Sequence, residues 1–461
     1  MLRPSCWLWL VLLPPIAFAQ QPLGDEERGR VLDQVDSLLK ERYVSAEVAE
    51  ACRAQLRVER STGRLDELTD PSSFAQHVTD LLQAVSSDRH LWLKVRDPDE
   101  VREARDDPAR ARARRDELAR QSNHGFERVE RLEGNIGYLD LRSLSPSPEA
   151  REVATAAMTF LARADALVLD LRLNEGGSPE MVRFLCSYLL AERTHLNTFH
   201  WRVGDRKDEL WSLEEVPGPR LSEVPVIVLT SPITFSGAEG LAYHLQALGR
   251  ATVVGTATGG GAHPGSRLPV GERFLLFLPQ GRAVNPITGT NWEGSGVTPD
   301  VAVEVTETFS RGLAVALAAA REHQEQRLLA LDAGLRELQD ELGRAVADGG
   351  TGGASRAASV LRVAAGDGLV SEAEINAIGY RHLGEGRHEL ATAVLALNAE
   401  LHPQSANVHD SLGEALAAAG ETERAVASYR RSLELDPGNA NARRQLVELG
   451  APGSVAAPPR E

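Results

Sequence analysis

The segment VPVIVLTSPITFSGAEGLAYHLQAL, residues 224–248, decides the fold. Its first part, Val224–Thr230, is an almost continuous apolar run, which predicts a buried strand. The residues Gly237–Leu248 then show the apolar spacing of a helix. Ser236 lies in the tight turn between the two, so we expect its hydroxyl to be exposed beside the N-terminal amides of the helix. Taken alone, Ser-Gly before a helix is more often an ordinary N-cap.

The same alternation of strand and helix extends on both sides of this segment. Further strands are predicted at Ile136–Leu141, Ala166–Leu171, Thr252–Gly255 and Phe274–Leu278, and further helices over an Ala-rich stretch ending near Ala162 and over Pro179–Leu190. Strands that alternate with helices are typical of βαβ units. We therefore predict an α/β core over residues 134–310.

The residues on either side of the core differ from it in composition and in the spacing of apolar side chains. Residues 20–96 are predicted to form a helical N-terminal subdomain, because apolar residues recur there at helical spacing. Residues 97–133 are charge-rich and almost without large apolar side chains, so we expect a connector. After the core, a long helix is predicted over 311–347 and a glycine-rich linker over 348–370.

An internal repeat occupies residues 371–450. Six residues return 34 positions later: Asn376, Gly379, Gly386, Ala391, Leu401 and Pro403 as Asp410, Gly413, Gly420, Ala425, Leu435 and Pro437. The period and pattern resemble the tetratricopeptide repeat, which implies paired helices and an all-α C-terminal domain. A protein partner on its concave surface is expected.

The N-terminus resembles a targeting segment. Arg3 precedes the apolar run Cys6–Ile16, and Ala17-Phe18-Ala19 fits a cleavage site, so residues 1–19 are predicted to be a signal peptide. We expect an exported protein, periplasmic or secreted, which does not span a membrane after cleavage. The two remaining cysteines, Cys52 and Cys186, could form a disulfide or stay buried thiols.

Net charge and the spacing of cysteines and histidines argue against nucleic acid, metal ions and cofactors as partners. The formal net charge is −16, with 50 Lys+Arg against 66 Asp+Glu, which argues against binding to nucleic acid. Cysteines and histidines do not fall at metal-ligand spacings, so neither a metal nor a cofactor is expected.

Two further motifs could accompany Ser236. The stretch DLRLNEGG, residues 170–177, ends an apolar strand in adjacent glycines, which allow backbone N–H groups to approach a ligand closely. The stretch NWEGSGVTPD, residues 291–300, places an acid beside glycine, where it could orient a base. Each motif by itself could equally be an ordinary turn.

Together and in this order, the strings D-L-R-x-N-x-G-G, T-F-S-G-A-E and W-E-G-x-G-V-x-P-D resemble the tail-specific, or C-terminal-processing, serine proteases. The resemblance runs from about Leu23 to Val305 and is strongest to the branch with the tricorn protease core and interphotoreceptor retinoid-binding protein. It implies a crotonase-like α/β core with a helical N-terminal subdomain, and a serine-type peptidase acting on a peptide or protein substrate.

The resemblance also implies roles for the glycines and the serine. Ser236 would be the nucleophile. An oxyanion hole would come from the amide of Gly237 and from the amide of Gly176 or Gly177.

The residue that would deprotonate Ser236 cannot be the lysine that many relatives use. Many relatives carry a lysine where this chain has Gly261, 25 residues after Ser236, and no lysine follows Lys207. The resemblance instead implies His90 as the base and Glu293 as the acid that orients it. His263, two residues after Gly261, is the alternative base.

Two other functions stay open. The retinoid-binding branch implies an inert carrier of apolar ligands, and the repeats alone could make the chain an interaction scaffold. Retention of Ser236, His90 and Glu293 together favours the peptidase, since a carrier has no chemical need of all three.

Overall fold

The computed structural model describes residues 22–451, so the predicted signal peptide lies outside the described residues. The chain divides into two compact units, one up to Gln324 and one from Glu325 onward. Within the described residues, no helix is both long and apolar enough to cross a bilayer.

The first unit begins with three helices: α1 (Asp25–Arg42), α2 (Ala46–Ser61) and α3 (Pro71–Ser86). The side chain of Asp70 caps α3 by accepting from the amide of Ser73. The prediction of a helical subdomain over residues 20–96 is incomplete, because strand β1 (Trp92–Val95) follows α3. This strand pairs antiparallel with a strand of the core, and it thereby fixes the position of the turn 87–91 that precedes it.

The charged segment after β1 is more ordered than its composition indicates. It forms α4 (Pro98–Asp106), α5 (Pro108–Gln121) and strand β2 (Phe126–Leu132). Because β2 pairs antiparallel with β3, the main sheet starts before the predicted core boundary at residue 134.

A six-stranded sheet in the order β12-β8-β7-β4-β3-β2 forms the centre of this unit. Its other members are β3 (Ile136–Leu141), β4 (Ala166–Asp170), β7 (Val226–Thr230), β8 (Ala251–Gly255) and β12 (Val301–Ala302), all parallel to their neighbours within this set. The helices between them are α6 (Pro148–Leu161), α7 (Pro179–Leu189) and α8 (Gly237–Ala247). The fold is thus mixed α/β, and the strand-helix alternation predicted from sequence is confirmed.

Two small sheets complete the first unit. One has the order β1-β10-β9, with β9 at Gly265–Val270 and β10 at Phe274–Pro279. The other has the order β11-β5-β6 and comprises β5 (His195–Trp201), β6 (Arg206–Trp211) and β11 (Gly281–Val284).

The second unit is helical. Helix α9 (Thr308–Asp348) begins in the first unit and is followed by α10 (Gly350–Gly366), α11 (Glu372–Gly384), α12 (His388–Leu401), α13 (Ala406–Ala418), α14 (Thr422–Leu435) and α15 (Ala440–Glu448). The linker predicted over 348–370 is therefore wrong for most of its length. The side chains of Ala357 and Leu361 are buried in a core with α12, which stabilises α10 despite its glycines.

The repeat has the close packing that its small residues predict. A Cβ atom on Gly379 would lie 2.5 Å from Leu395, and one on Gly413 would lie 2.7 Å from Tyr429. The equivalent glycines therefore allow the two helices of each repeat to approach closely.

The two cysteines do not meet. Cys52 and Cys186 are both buried free thiols, in separate hydrophobic clusters. Burial raises the pKa of Cys52 to about 11 and that of Cys186 to about 12, so both thiols are protonated at neutral pH.

Candidate active site

Ser236 occupies a strained turn at the carboxyl end of β7, just before α8. Its backbone has φ 54° and ψ −119°, a conformation that a residue with a side chain rarely adopts. Such strain persists only where the surroundings enforce it, and it concentrates at functional sites. The sharp turn from strand to helix is the arrangement that presents a nucleophilic hydroxyl.

Glu239 enforces this turn from the first turn of α8. Its side chain is wholly buried, and its carboxylate accepts hydrogen bonds from the amides of Ser236 (2.7 Å), Gly260 (2.6 Å) and Gly261 (2.8 Å) and from Thr258 Oγ1 (2.5 Å). Burial raises the pKa of Glu239, and these hydrogen bonds oppose that shift. The carboxylate therefore ties the serine turn to the loop over residues 258–262.

The DLRLNEGG and TFSGAE motifs lie against each other. A Cβ atom on Gly176 would be 2.8 Å from Ser236 Cβ, and one on Gly237 would be 3.1 Å from the amide nitrogen of Gly177. A hydrogen bond also joins the two motifs, since the backbone N–H of Phe235 donates to the carbonyl oxygen of Asn174 (3.0 Å).

The amides beside Ser236 differ in availability. The N–H of Gly176 donates to Asn174 Oδ1 at 2.8 Å. In the described part of the chain, the N–H groups of Gly177 and Gly237 donate to no acceptor. Two free donors beside a serine are what an oxyanion hole requires.

His90 packs into the same region from the turn before β1. Its ring is 5% exposed and lies 4.5 Å from the ring of Phe235 and 5.2 Å from that of Phe277, measured between centroids. Burial lowers the pKa of His90 to about 4, so the imidazole is neutral at pH 7. Its Nδ1 is buried and has no hydrogen-bond partner among the residues that the structure describes. A Cβ atom on Gly261 would lie 2.6 Å from His90 Cε1, so this ring fills the space beside Gly261.

His263 has two carboxylates beside it. Its Nδ1 lies 2.8 Å from Asp88 Oδ2 and 3.5 Å from Glu293 Oε2. Burial alone would lower the pKa of His263, but the hydrogen bond to Asp88 and the charges of Glu293 and Asp88 raise it above its ordinary value. Burial and the charge of Asp88 raise the pKa of Glu293 to about 7.

Within the part of the chain that the structure describes, no hydrogen bond or ion pair joins Glu293 to His90, the contact expected of an orienting acid. Its Oε2 accepts from the amides of Ala262 (2.6 Å) and His263 (3.1 Å). The loop that carries Glu293 also bonds to the serine side of the site, since Trp292 Nε1 donates to the carbonyl oxygen of Gly261 (2.8 Å).

All three sequence motifs thus converge on one site. Among the described residues, no hydrogen bond joins Ser236 Oγ to His90 or His263; catalytic contacts of this kind often form only with substrate bound.

Three parts of the chain match models of known protein families. Residues 135–303 match the model of peptidase family S41. Residues 26–126 match the N-terminal domain of that family in eukaryotic IRBP, and residues 406–449 match a tetratricopeptide repeat. The chain carries a peptidase family S41 domain.

Individual relatives match part of the chain. A carboxy-terminal-processing protease of Bartonella bacilliformis is 31% identical over 178 residues, 38% of this chain and 40% of the relative. The tricorn protease of Thermoplasma volcanium is 28% identical over 181 residues, 38% of this chain and 16% of the relative. The chain therefore matches less than half the length of these curated relatives. A putative peptidase from Parabacteroides merdae has a TM-score of 0.43 and 19% identity, covering 64% of this chain and 96% of that one.

Sequence reasoning missed two residues of the S41 domain site. Asp88 is 1% exposed and accepts from Tyr43 Oη (3.1 Å) and from the amide of His90 (3.0 Å) as well as contacting His263. Its position two residues before His90 was the available signal. Glu239 stands three residues after Ser236, the spacing of a capping box, and could have been identified from that alone.

One group of side chains in the site could hold a metal ion. Asp88, His263 and Glu293 each offer a ligand atom, and these atoms lie within 4.8 Å of one another. Sequence spacing could not reveal this group, because its members come from three distant loops.

The crowding at Gly261 gives a testable prediction for the S41 domain. Gly261→Ala would drive a methyl group into the rings of His90 and Phe235, so we expect kcat/KM to fall about 100-fold and the protein to lose about 1–3 kcal/mol of stability. Peptidase assays and thermal unfolding measure both. Gly343→Ala in α9 is the matched control: apart from the adjacent backbone of its own helix, a Cβ atom there would meet nothing within 4 Å, so activity should be unchanged. Normal activity in Gly261→Ala would contradict the placement of His90.

Proposed function

We propose that the protein is a serine peptidase that cleaves peptide bonds, with Ser236 as the nucleophile. The observation that carries this proposal is the strained Ser236 beside the free amides of Gly177 and Gly237. Ser236 Oγ would attack the scissile carbonyl carbon while a base takes its proton. The carbonyl oxygen, now negative, would accept from the two amides. The base would then protonate the leaving amine, and water would release the acyl group.

We propose His90 as the base. Its ring occupies the space beside Gly261, from which the lysine of many relatives would extend, and its neighbour Phe235 directly precedes Ser236. Because the imidazole is neutral at pH 7, it can accept the proton of the serine. Asp88 supports this role because its carboxylate accepts a hydrogen bond from the backbone N–H of His90.

His263 is the second candidate for the base. The observation in its favour is the contact of its Nδ1 with Asp88, since a carboxylate at that nitrogen orients an imidazole and stabilises its charged form. In this arrangement Nε2 of His263 would receive the serine proton, and Glu293 would hold the ring through the backbone of residues 262–263.

Three further inferences accompany the proposal. We infer that the core belongs among crotonase-like folds, that the protein is exported to the periplasm or secreted, and that its substrates are peptides or proteins. The tetratricopeptide repeats would recruit a protein partner. The order of the parallel strands, with Ser236 at the carboxyl end of β7, supports the inference about the fold.

The test is covalent labelling of the full chain with a fluorophosphonate probe. The wild type should be labelled, and Ser236→Ala should lose all labelling together with peptidase activity. Ser295→Ala, in the nearby loop that follows Glu293, is the matched control and should be labelled normally. A wild type that resists labelling but binds an apolar ligand saturably would instead support a carrier.

The pH dependence separates the two bases. A base must be deprotonated to act, so kcat/KM rises as pH increases through its pKa. With His90, whose pKa is lowered to about 4, activity should be nearly constant between about pH 6 and 8. With His263, whose pKa is raised, activity should still be rising above pH 6.5.

The pKa of Glu293, raised to about 7, could add a rise of its own, so the profile is repeated with Glu293→Gln. A rise above pH 6.5 that persists in this variant would favour His263 over His90.

A further inference from the structure

The second unit presents a polar face that the proposed peptidase chemistry does not use. We define the acidic face as the side chains of Asn376, Tyr380, Asp410, Glu414, Tyr429 and Asn441, from helices α11, α13, α14 and α15. The repeat builds it, because Asp410 and Glu414 stand 34 residues after Asn376 and Tyr380.

Two carboxylates, those of Asp410 and Glu414, lie together on this face. Asn441 Nδ2 donates to Asp410 Oδ2 (2.9 Å) and to Glu414 Oε1 (2.7 Å), and Tyr380 Oη donates to Glu414 Oε2 (2.9 Å). Within the described residues, neither carboxylate forms a salt bridge. Burial raises the pKa of Asp410 and the charge of Glu414 adds to this effect, while the hydrogen bond from Asn441 and the charge of Arg444 oppose it.

Unpaired polar atoms point to a missing donor. Tyr429 is wholly buried, and among the described residues its hydroxyl has no hydrogen-bond partner. The end of the ring that carries this hydroxyl packs against α13 between Asp410 and Glu414, since a Cβ atom on Gly413 would lie 2.9 Å from Tyr429 Cζ. Asp410 Oδ1 and Asn376 Oδ1 also lack partners. Buried polar atoms are rarely left unpaired, so this set of oxygens fits a group that supplies several N–H donors and a positive charge.

We propose that the acidic face binds a lysine or arginine side chain presented by a partner protein or peptide. An ammonium or guanidinium group would supply the donors that Asp410 Oδ1 and the Tyr429 hydroxyl lack, and its charge would neutralise the carboxylates of Asp410 and Glu414. Tyr380, 36% exposed, is the member of the acidic face that would contact the arriving side chain. A carboxylate, in contrast, would be repelled. This inference goes beyond the proposed peptidase function and does not depend on it.

The test uses the full chain carrying Ser236→Ala, so that the probe cannot be cleaved. Fluorescence anisotropy would measure binding of a short labelled peptide of alternating Gly and Lys, with Nε-acetyl-lysine and Gly-Glu versions for comparison. We expect binding of the lysine peptide alone. Adding Asp410→Asn and Glu414→Gln should weaken it by at least about tenfold.

The matched control removes the same charge elsewhere. Glu423→Gln with Glu434→Gln, both exposed on α14, should bind like the parent and thereby exclude a general effect of net charge. Tyr429→Phe keeps the packing and removes only the unpartnered hydroxyl, so binding should weaken several-fold while thermal unfolding is unchanged. Equal affinity for lysine and acetyl-lysine peptides, equal affinity of the acidic-face and control pairs, or unaltered binding by Tyr429→Phe would overturn the proposal.

Discussion

His90→Ala is expected to lower kcat by about 10²–10⁴-fold, with Ser236 losing most of its reactivity toward a fluorophosphonate. The serine would lose the neutral imidazole that fills the space beside Gly261, and this chain has no lysine after Lys207 to replace it. Steady-state kinetics on a peptide substrate, together with labelling rates, measure the effect.

His263→Ala is the companion variant. If His90 is the base, His263→Ala should retain more activity than His90→Ala, because it removes only the partner of Asp88 and Glu293. If His263→Ala abolishes turnover while His90→Ala remains active, the assignment of His90 is wrong and His263 is the base.

Glu239→Ala should be the most destabilising single change at the site. It would leave the amides of Ser236, Gly260 and Gly261 and the hydroxyl of Thr258 without their acceptor inside the protein. Each unsatisfied buried group costs about 1–3 kcal/mol, so we expect a loss of about 3–5 kcal/mol after relaxation, and no peptidase activity.

Thermal unfolding followed by calorimetry measures this loss, since separate transitions can report on separate units. Glu180→Ala, an exposed acid in the first turn of α7, is the control and should cost less than about 1 kcal/mol. An unchanged transition and normal labelling of Ser236 in Glu239→Ala would contradict the role given to this carboxylate.

Local patterns predicted the central elements well. Ile136–Leu141 is a strand with the predicted limits, and the turn at Ser236 joins a buried strand to a helix as expected. These features depend on apolar periodicity and on short motifs, both of which are visible in consecutive residues.

Long-range contacts could not be predicted in the same way. Asp88 and His263 are 175 residues apart in sequence, and long-range contacts such as the pairing of β1 with β10 and the hydrogen bond from Arg89 to the carbonyl oxygen of Gly259 bring them together. Strand β5, HLNTFHW, mixes polar and aromatic residues and shows no clear alternation, so it was missed. The predicted linker is a helix at α10 because an apolar stripe lies among its glycines and packs against α12.

The pairing of β1 with β10 has a consequence for how the protein can be divided. A recombinant fragment limited to residues 135–303 would contain Ser236 and Glu293 but would lack Asp88 and His90. The separate segment 22–134 would have to restore two strand pairings, that of β1 with β10 and that of β2 with β3, so recovery of turnover from two inactive polypeptides would report on both.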